Sequence, residues 1–389
     1  MNAALLVILA GVCAALHIGK LPPAVGALRE ALGISLVDAG FLLSMVQFAG
    51  MSTGLAMGAW VDRFGMRRSM IAGLALLGIA SIAGGLVRTP AALLLLRAAE
   101  GFGFLMVVLP APALVRALVK PGHVNQMMGV WGTYMPLGTA IALLAGGTWI
   151  EYWTWRSWWW SLGALTAAMA LTIALYVPQP SQEQVRARSG LDGRIRLTLS
   201  RPGPWLLALI FASYSSQWLA VIGFLPTIYE QAGVEAATRG GLTALAAGVN
   251  IVGNIVAGRL LQQGLRPVNL LRVGFTAMAL SALIAFAGRY DTTESALVRY
   301  LAVLSFSLLG GLVPATLFSL AVRLAPGEGT ISTTVGWMQQ WSALGQFAGP
   351  PVVAWVASRV GGWHWTGAAT GFASVIGLIL SQRLKRLLP

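Results

Sequence analysis

Two pairs of charged or titratable side chains lie deep inside hydrophobic sequence. His17 and Lys20 are three residues apart in an apolar run near the N-terminus, and Arg97 and Glu100 are three apart in another. That separation puts both members of a pair on one helical face. Ionisable groups at membrane depth are costly and mark functional sites by default. Lys20 and Arg97 are suited to bind a negative charge, Glu100 to take up and release a proton, and His17 to do either, because an unperturbed imidazole titrates near neutral pH. Plainer roles compete: Lys20 reaching out to the membrane surface, His17 as a packing residue, and Arg97 with Glu100 as a structural ion pair. Deep positive groups, Lys20 and Arg97 together with Arg299, outnumber deep acids. The surplus predicts a small anionic substrate that supplies the missing counter-charge.

The elements that hold these residues follow from composition. The chain has 389 residues, 57% hydrophobic and 10% charged, with a mean hydropathy of +0.75. A soluble domain carries roughly 25% charged residues, so a soluble protein is excluded. Outer-membrane strands alternate apolar and polar residues, and runs such as 71–87 do not. Helices satisfy their own backbone in lipid and span it with about 20 apolar residues. Apolar runs near 4–28, 37–60, 69–88, 91–118, 124–148 and 156–178 predict six spans, and those near 205–229, 239–261, 268–288, 296–322, 331–356 and 364–383 predict six more. The expected protein is all-α, with twelve transmembrane helices: a first six-helix bundle over 1–178, a cytoplasmic linker over 179–203, and a second bundle over 204–389.

A net charge of +14 and a pI near 11.1 point to nucleic acid only in a soluble protein. Here the basic residues cluster between spans, most densely at Arg186, Arg188, Arg194, Arg196 and Arg201. The positive-inside rule then puts both termini in the cytoplasm of a multi-pass protein. Compact loops suit a bacterial inner membrane. The single cysteine, Cys13, excludes an intrachain disulfide, and the N-terminal run lacks the features of a cleaved signal. Trp149, Trp153, Trp155, Trp158, Trp159 and Trp160 are expected to form an interfacial aromatic belt.

Neutral residues that would shape a central cavity are Gln47, Tyr134, Tyr214, Gln217, Asn250, Trp337 and Gln340; each would serve equally as hydrogen-bonded glue between helices. Gly50, Gly54 and Gly58, and likewise Gly345 and Gly349, recur at four-residue spacing and predict flat packing faces. No metal-ligand cluster, His-Glu-x-x-His helix, nucleophile elbow or phosphate loop occurs in the sequence. Neither an enzyme nor a bound cofactor is expected.

Between the second and third spans, Gly58-Ala59-Trp60-Val61-Asp62-Arg63-Phe64-Gly65-Met66-Arg67-Arg68 follows the pattern G-x-x-x-D-R-x-G-x-R-R. Arg97-Ala98-Ala99-Glu100-Gly101-Phe102-Gly103 follows R-x-x-Q-G-x-G with Glu for Gln, Gly132 to Gly138 within the fifth span forms a loose Gly-Pro-rich helix motif, and Trp155-Arg156 opens the sixth span. With two six-span halves, these residues resemble the major facilitator superfamily of secondary transporters. The second half repeats the layout in eroded form, with Gly258-Arg259 to Arg266 in place of the loop motif, so the two bundles should be pseudo-symmetric. The resemblance implies that Gly58, Asp62, Arg63, Gly65, Arg67 and Arg68 gate the transporter. It also implies a functional monomer and a substrate site near the bilayer midplane. The short loops are most similar to the cyanate/nitroimidazole permease-like branch. The expected function is transport of a small organic or inorganic anion by alternating access, through proton symport or anion exchange. His17, Lys20, Arg97 and the neutral residues above would bind it, with Glu100 and His17 coupling the proton. The alternative is proton-coupled efflux of a drug or metabolite, which predicts indifference to the loss of Lys20.

Overall fold

The computed structural model describes residues 3–34, 36–179, 191–234, 236–287, 293–360 and 363–387. Arg186 and Arg188 lie outside the described residues, as does the side chain of Asp62. Every regular element among the described residues is helical, and each expected span is occupied by one helix or by two in succession. The first is taken by α1 (Ala3–Gly19) and the short α2 (Val25–Leu32), the second by α3 (Leu36–Phe64), the third by α4 (Met66–Gly84). Next, α5 (Pro90–Val108) and α6 (Ala111–Leu118) share the fourth, α7 (Val124–Trp131) and α8 (Tyr134–Tyr152) the fifth, and α9 (Trp155–Tyr176) fills the sixth. After α10 (Leu191–Leu199) come α11 (Pro202–Gln231), the pair α12 (Ala236–Gly248) and α13 (Asn250–Gln262), and α14 (Pro267–Ala287). The tenth span is divided between α15 (Thr293–Gly310) and α16 (Leu312–Leu324), and α17 (Ile331–Val360) and α18 (Thr366–Leu384) complete the set. Nine stretches among the described residues are long and apolar enough to cross a membrane; α3, α17 and α18 occupy the other three expected spans.

Local chemistry sets the boundaries. Thr89 caps α5 ahead of Pro90, and Thr154 with Ser157 forms a reciprocal capping box at the start of α9. Gly65 joins α3 to α4 at φ +108°, a backbone region that side chains other than hydrogen rarely adopt. Pro110 has no N–H to offer the Met106 carbonyl. Ser69 Oγ donates to that carbonyl instead, at 3.1 Å, so the break after α5 becomes a tie to α4. The expected linker is not wholly irregular: α10 is a helix that packs against α3 and buries Arg194 and Thr198, one turn apart.

The described contacts divide the chain into two compact units. One comprises Met1–Val124, Tyr134–Arg201 and Ala325–Gln340; the other comprises Asn125–Thr133, Pro202–Leu324 and Trp341–Pro389. Two short pieces thus pack away from their sequence neighbours. In the first unit a Cβ on Gly54 would lie 2.8 Å from the Gly336 carbonyl, and one on Gly58 2.5 Å from that of Ser332. In the second, a Cβ on Gly129 would lie 2.6 Å from the Gly258 Cα. Only glycine permits backbones to approach so closely. The expected flat faces are therefore real at Gly54 and Gly58, and Gly345 and Gly349 press likewise on the Ala212 and Ser216 carbonyls of α11.

Within the first unit α4 packs on α5 and α9, and α1 packs on α5, α8 and α9. Its core holds Leu16, Leu28, Leu42 and Leu93 with Trp155, Trp158 and Trp159. The tryptophan cluster is thereby only in part a surface belt. Trp153 is 61% exposed, whereas Trp158 and Trp159 are 4% and 0% exposed. Positions 155, 158, 159 and 162 share one face of α9, and that face is turned into the core.

Candidate functional site

The four ionisable residues singled out in the sequence meet inside the first unit. His17 stands in the last turn of α1 and Lys20 just past its end, while Arg97 and Glu100 lie midway along α5. All four are at most 1% exposed. The Glu100 carboxylate is divided between the two cations: Oε1 accepts from Lys20 Nζ, and Oε2 accepts from Arg97 Nη1 at 2.5 Å. Arg97 also donates to the carbonyls of His17 at 2.8 Å and Leu42 at 3.3 Å. The His17 carbonyl is one of the orphan acceptors at a helix C-terminus, where a positive group is favoured.

Lys20 has three donors, and the protein occupies each. Besides Glu100 they reach Ser81 Oγ of α4 at 2.9 Å and His17 Nδ1 at 3.2 Å. Its ammonium lies 4.7 Å from the centre of the Trp159 ring, a cation–π contact from α9. Ser81 passes its own proton to the Trp159 carbonyl at 2.8 Å.

On the other side of His17, Nε2 is 2.7 Å from Thr166 Oγ1, whose hydroxyl donates to the Leu162 carbonyl at 2.7 Å. Thr166 has one proton and spends it on Leu162, so the Nε2–H of His17 must donate to Thr166. Nδ1 is left as the acceptor for Lys20, and the imidazole is neutral in this arrangement. Cys13 Sγ completes the chain at 3.4 Å from Thr166. Two cations share one carboxylate, so the enclosed cluster carries one formal positive charge in excess.

The remaining candidates are placed elsewhere. In the first unit Gln340 Oε1 accepts from the Leu55 amide at 2.9 Å, and Gln339 Nε2 donates to Tyr134 Oη at 3.2 Å. Gln47 and Trp337 are half-buried there. In the second unit Asn250 Nδ2 bridges Tyr214 Oη at 3.1 Å and the Ser307 carbonyl at 2.7 Å, and Gln217 joins Ser374 Oγ to the Ser213 carbonyl, both at 2.8 Å. These residues tie helices of their own unit together. Arg299 lies two turns into α15, 5.9 Å from the Phe286 ring, and takes no part in the ionic cluster. In the loop motif, Gly58 abuts α17, Arg67 donates to the Ala174 carbonyl near the end of α9, and Arg63 and Arg68 are exposed. Ser81 and Thr166 carry no sequence signal of their own, and Trp159 reads in the sequence only as a member of the aromatic belt. Single hydroxyls in apolar helices ordinarily bond to their own backbone, and only packing reveals their partners.

A family profile described as Major Facilitator Superfamily matches residues 7–350. The chain belongs to the major facilitator superfamily. The puromycin resistance protein of Streptomyces alboniger is 30% identical over 196 residues, covering 50% of this chain and 38% of that protein. The multidrug resistance protein Stp of Mycobacterium tuberculosis is 30% identical over 167 residues, covering 42% of this chain and 29% of that one. The matches thus span well under half the length of these curated relatives. The solved structure of the proton:xylose symporter XylE, bound to a bromodeoxyglucose, superposes with a TM-score of 0.77 over 100% of this chain and 95% of its own, at 15% identity. That likeness shows the twelve-helix fold. A superfamily chain is a multi-pass membrane protein among transporters and not an enzyme. The cyanate/nitroimidazole resemblance gains nothing from these relatives.

Proposed function

We propose that this superfamily member is a secondary active transporter that exports lipophilic compounds by alternating access, and that the cluster of His17, Lys20, Arg97 and Glu100 carries the coupling proton. The observation that carries this reading is the saturation of Lys20. With Ser81, Glu100 and His17 each taking a donor, the ammonium has nothing left for an arriving anion. The puromycin and multidrug resistance relatives point the same way. Export therefore takes precedence over anion transport.

Charge balance favours Lys20 over Glu100 and His17 as the group that gives up the proton. If Lys20 loses it, Arg97 and Glu100 remain as a neutral pair; if Glu100 gains one, two buried cations are left uncompensated. His17 already offers Nδ1 as an acceptor and has no room for a proton there while Lys20 is charged.

A second reading, transport of a small carboxylate- or cyanate-like anion, is favoured by the same excess positive charge, which an anion would cancel once Lys20 or Arg97 is released from Glu100. Proteoliposomes decide between them. With Lys20 carrying the coupling proton, export depends on it, in place of the indifference to its loss that export implies when Lys20 is only an anion ligand. Puromycin movement driven by an imposed pH gradient, abolished in Lys20→Met, is the expected result; exchange of formate, oxalate or cyanate without pH dependence would reject export.

The division into 1–178, a 179–203 linker and 204–389 is the proposed pair of transport halves, with the 58–68 loop as the gate. Basic residues at Arg63, Arg68, Lys120, Arg323 and Arg383 support cytoplasmic termini. The sources of the relatives support a bacterial plasma membrane, and the protein is proposed to act as a monomer.

A further inference from the structure

At the start of α11 and the end of α18 the second unit carries an open groove of about 730 Å³. Pro202, Trp205 and Leu206 come from the first turns of α11, Arg383 from the last turn of α18, and Arg386 and Leu387 from the 3-10 turn that follows it. The lining has two characters. Pro202, Trp205, Leu206 and Leu387 make an apolar floor, and the two guanidinium groups stand at its rim, both on exposed residues. No acid is among the described residues of the lining. Arg272 of α14 donates to Gln382, the residue before Arg383. Trp205 packs edge-on against Trp341 with ring centres 6.1 Å apart, which holds the aromatic wall in place.

Both helices reach their ends here, so the groove is at the level where hydrophobic span gives way to water, the depth favoured by tryptophan and by basic side chains. A soluble anion would satisfy the arginines and leave the apolar floor wet. A zwitterionic lipid would cover the floor and bring a second positive charge toward the arginines. A phosphodiester with net negative charge, attached to hydrocarbon, matches both parts. We propose that this groove binds an anionic phospholipid, with its phosphate on Arg383 and Arg386 and its first acyl carbons against Trp205, Leu206 and Leu387.

The test uses the full-length, delipidated protein, titrated with phosphatidylglycerol or phosphatidylcholine and read by native mass spectrometry. Phosphatidylglycerol is expected to bind more tightly than phosphatidylcholine. Arg383→Ala with Arg386→Ala should weaken it about 25-fold, and Arg386→Gln alone, beyond the end of α18 and without a role in its packing, about 5-fold. Lys120→Ala with Arg196→Ala, which removes equal charge from exposed positions elsewhere, should leave the affinity unchanged. Equal loss in that control, equal affinity for phosphatidylcholine, or full displacement by millimolar inorganic phosphate would each overturn the proposal, the last in favour of a simple phosphate site.

Discussion

Lys20 and Glu100, 80 positions apart in the chain, are in direct ionic contact with side chains 0% and 1% exposed. Arg97 holds the opposite oxygen of the same carboxylate, so three charged groups depend on one another in a place water does not reach. A buried ion pair adds little to stability when intact and costs much when one partner is removed.

That asymmetry gives the first prediction. Glu100→Gln strips the counter-charge from two enclosed cations and should destabilise the protein by about 3–5 kcal/mol. Lys20→Met leaves Arg97 and Glu100 as a neutral pair and should cost only about 1–3 kcal/mol, mainly for acceptors left unsatisfied. Thermal melts of the two purified variants compare them directly. A larger loss for Lys20→Met would mean that the carboxylate is not the centre of the cluster.

The protonation pattern of His17 is a second expectation. Thr166 accepts from Nε2–H while Lys20 donates to Nδ1, so histidine-selective nitrogen NMR should show one ring as a neutral Nε2–H tautomer. Thr166→Val should keep that tautomer, because Lys20 still donates to Nδ1, and cost about 1–3 kcal/mol for the stranded N–H. A charged imidazolium in the unaltered protein at neutral pH would contradict the assignment.

Burial separates two tryptophans six positions apart. Trp159, 0% exposed and lying over Lys20, should lose about 3–5 kcal/mol as alanine. Trp153, 61% exposed, should change by within about 0.5 kcal/mol. Similar melting temperatures for both variants would return Trp159 to the surface belt.

Glycine packing is tested the same way. A Cβ on Gly58 meets the Ser332 carbonyl at 2.5 Å, so Gly58→Ala should cost about 1–3 kcal/mol. Nothing lies within 4 Å of a Cβ on Gly26 in α2, and Gly26→Ala should stabilise by about 0.5–1 kcal/mol through helix propensity. Equal effects at the two sites would show that the α3 crossing is not tight.

Much of this was already present in local sequence. Hydrophobic runs of spanning length, Pro22-Pro23 after α1, Pro90 opening α5 and the turn at Gly65 determine where helices lie and end, because each acts through covalent geometry or through transfer of a short segment out of water. The three-residue spacing of His17 with Lys20 and of Arg97 with Glu100 determines that each pair shares a face. Other properties were undecidable at that range. Tyr214 and Asn250 have the composition of cavity residues, and their bond to one another makes them a tie between α11 and α13. Trp159 is indistinguishable from Trp160 by residue type, and only the face that α9 turns inward separates them. Above all, the excess of positive charge counted along the chain omitted geometry: Glu100 serves Lys20 and Arg97 together, and Ser81, Thr166 and Trp159 close the shell around them. Those contacts join α1, α4, α5 and α9, and a contact between helices depends on how their faces pack, which no single helix's sequence encodes. Helix identity is therefore a property of the sequence, while the partner of each buried charge is a property of the tertiary structure alone.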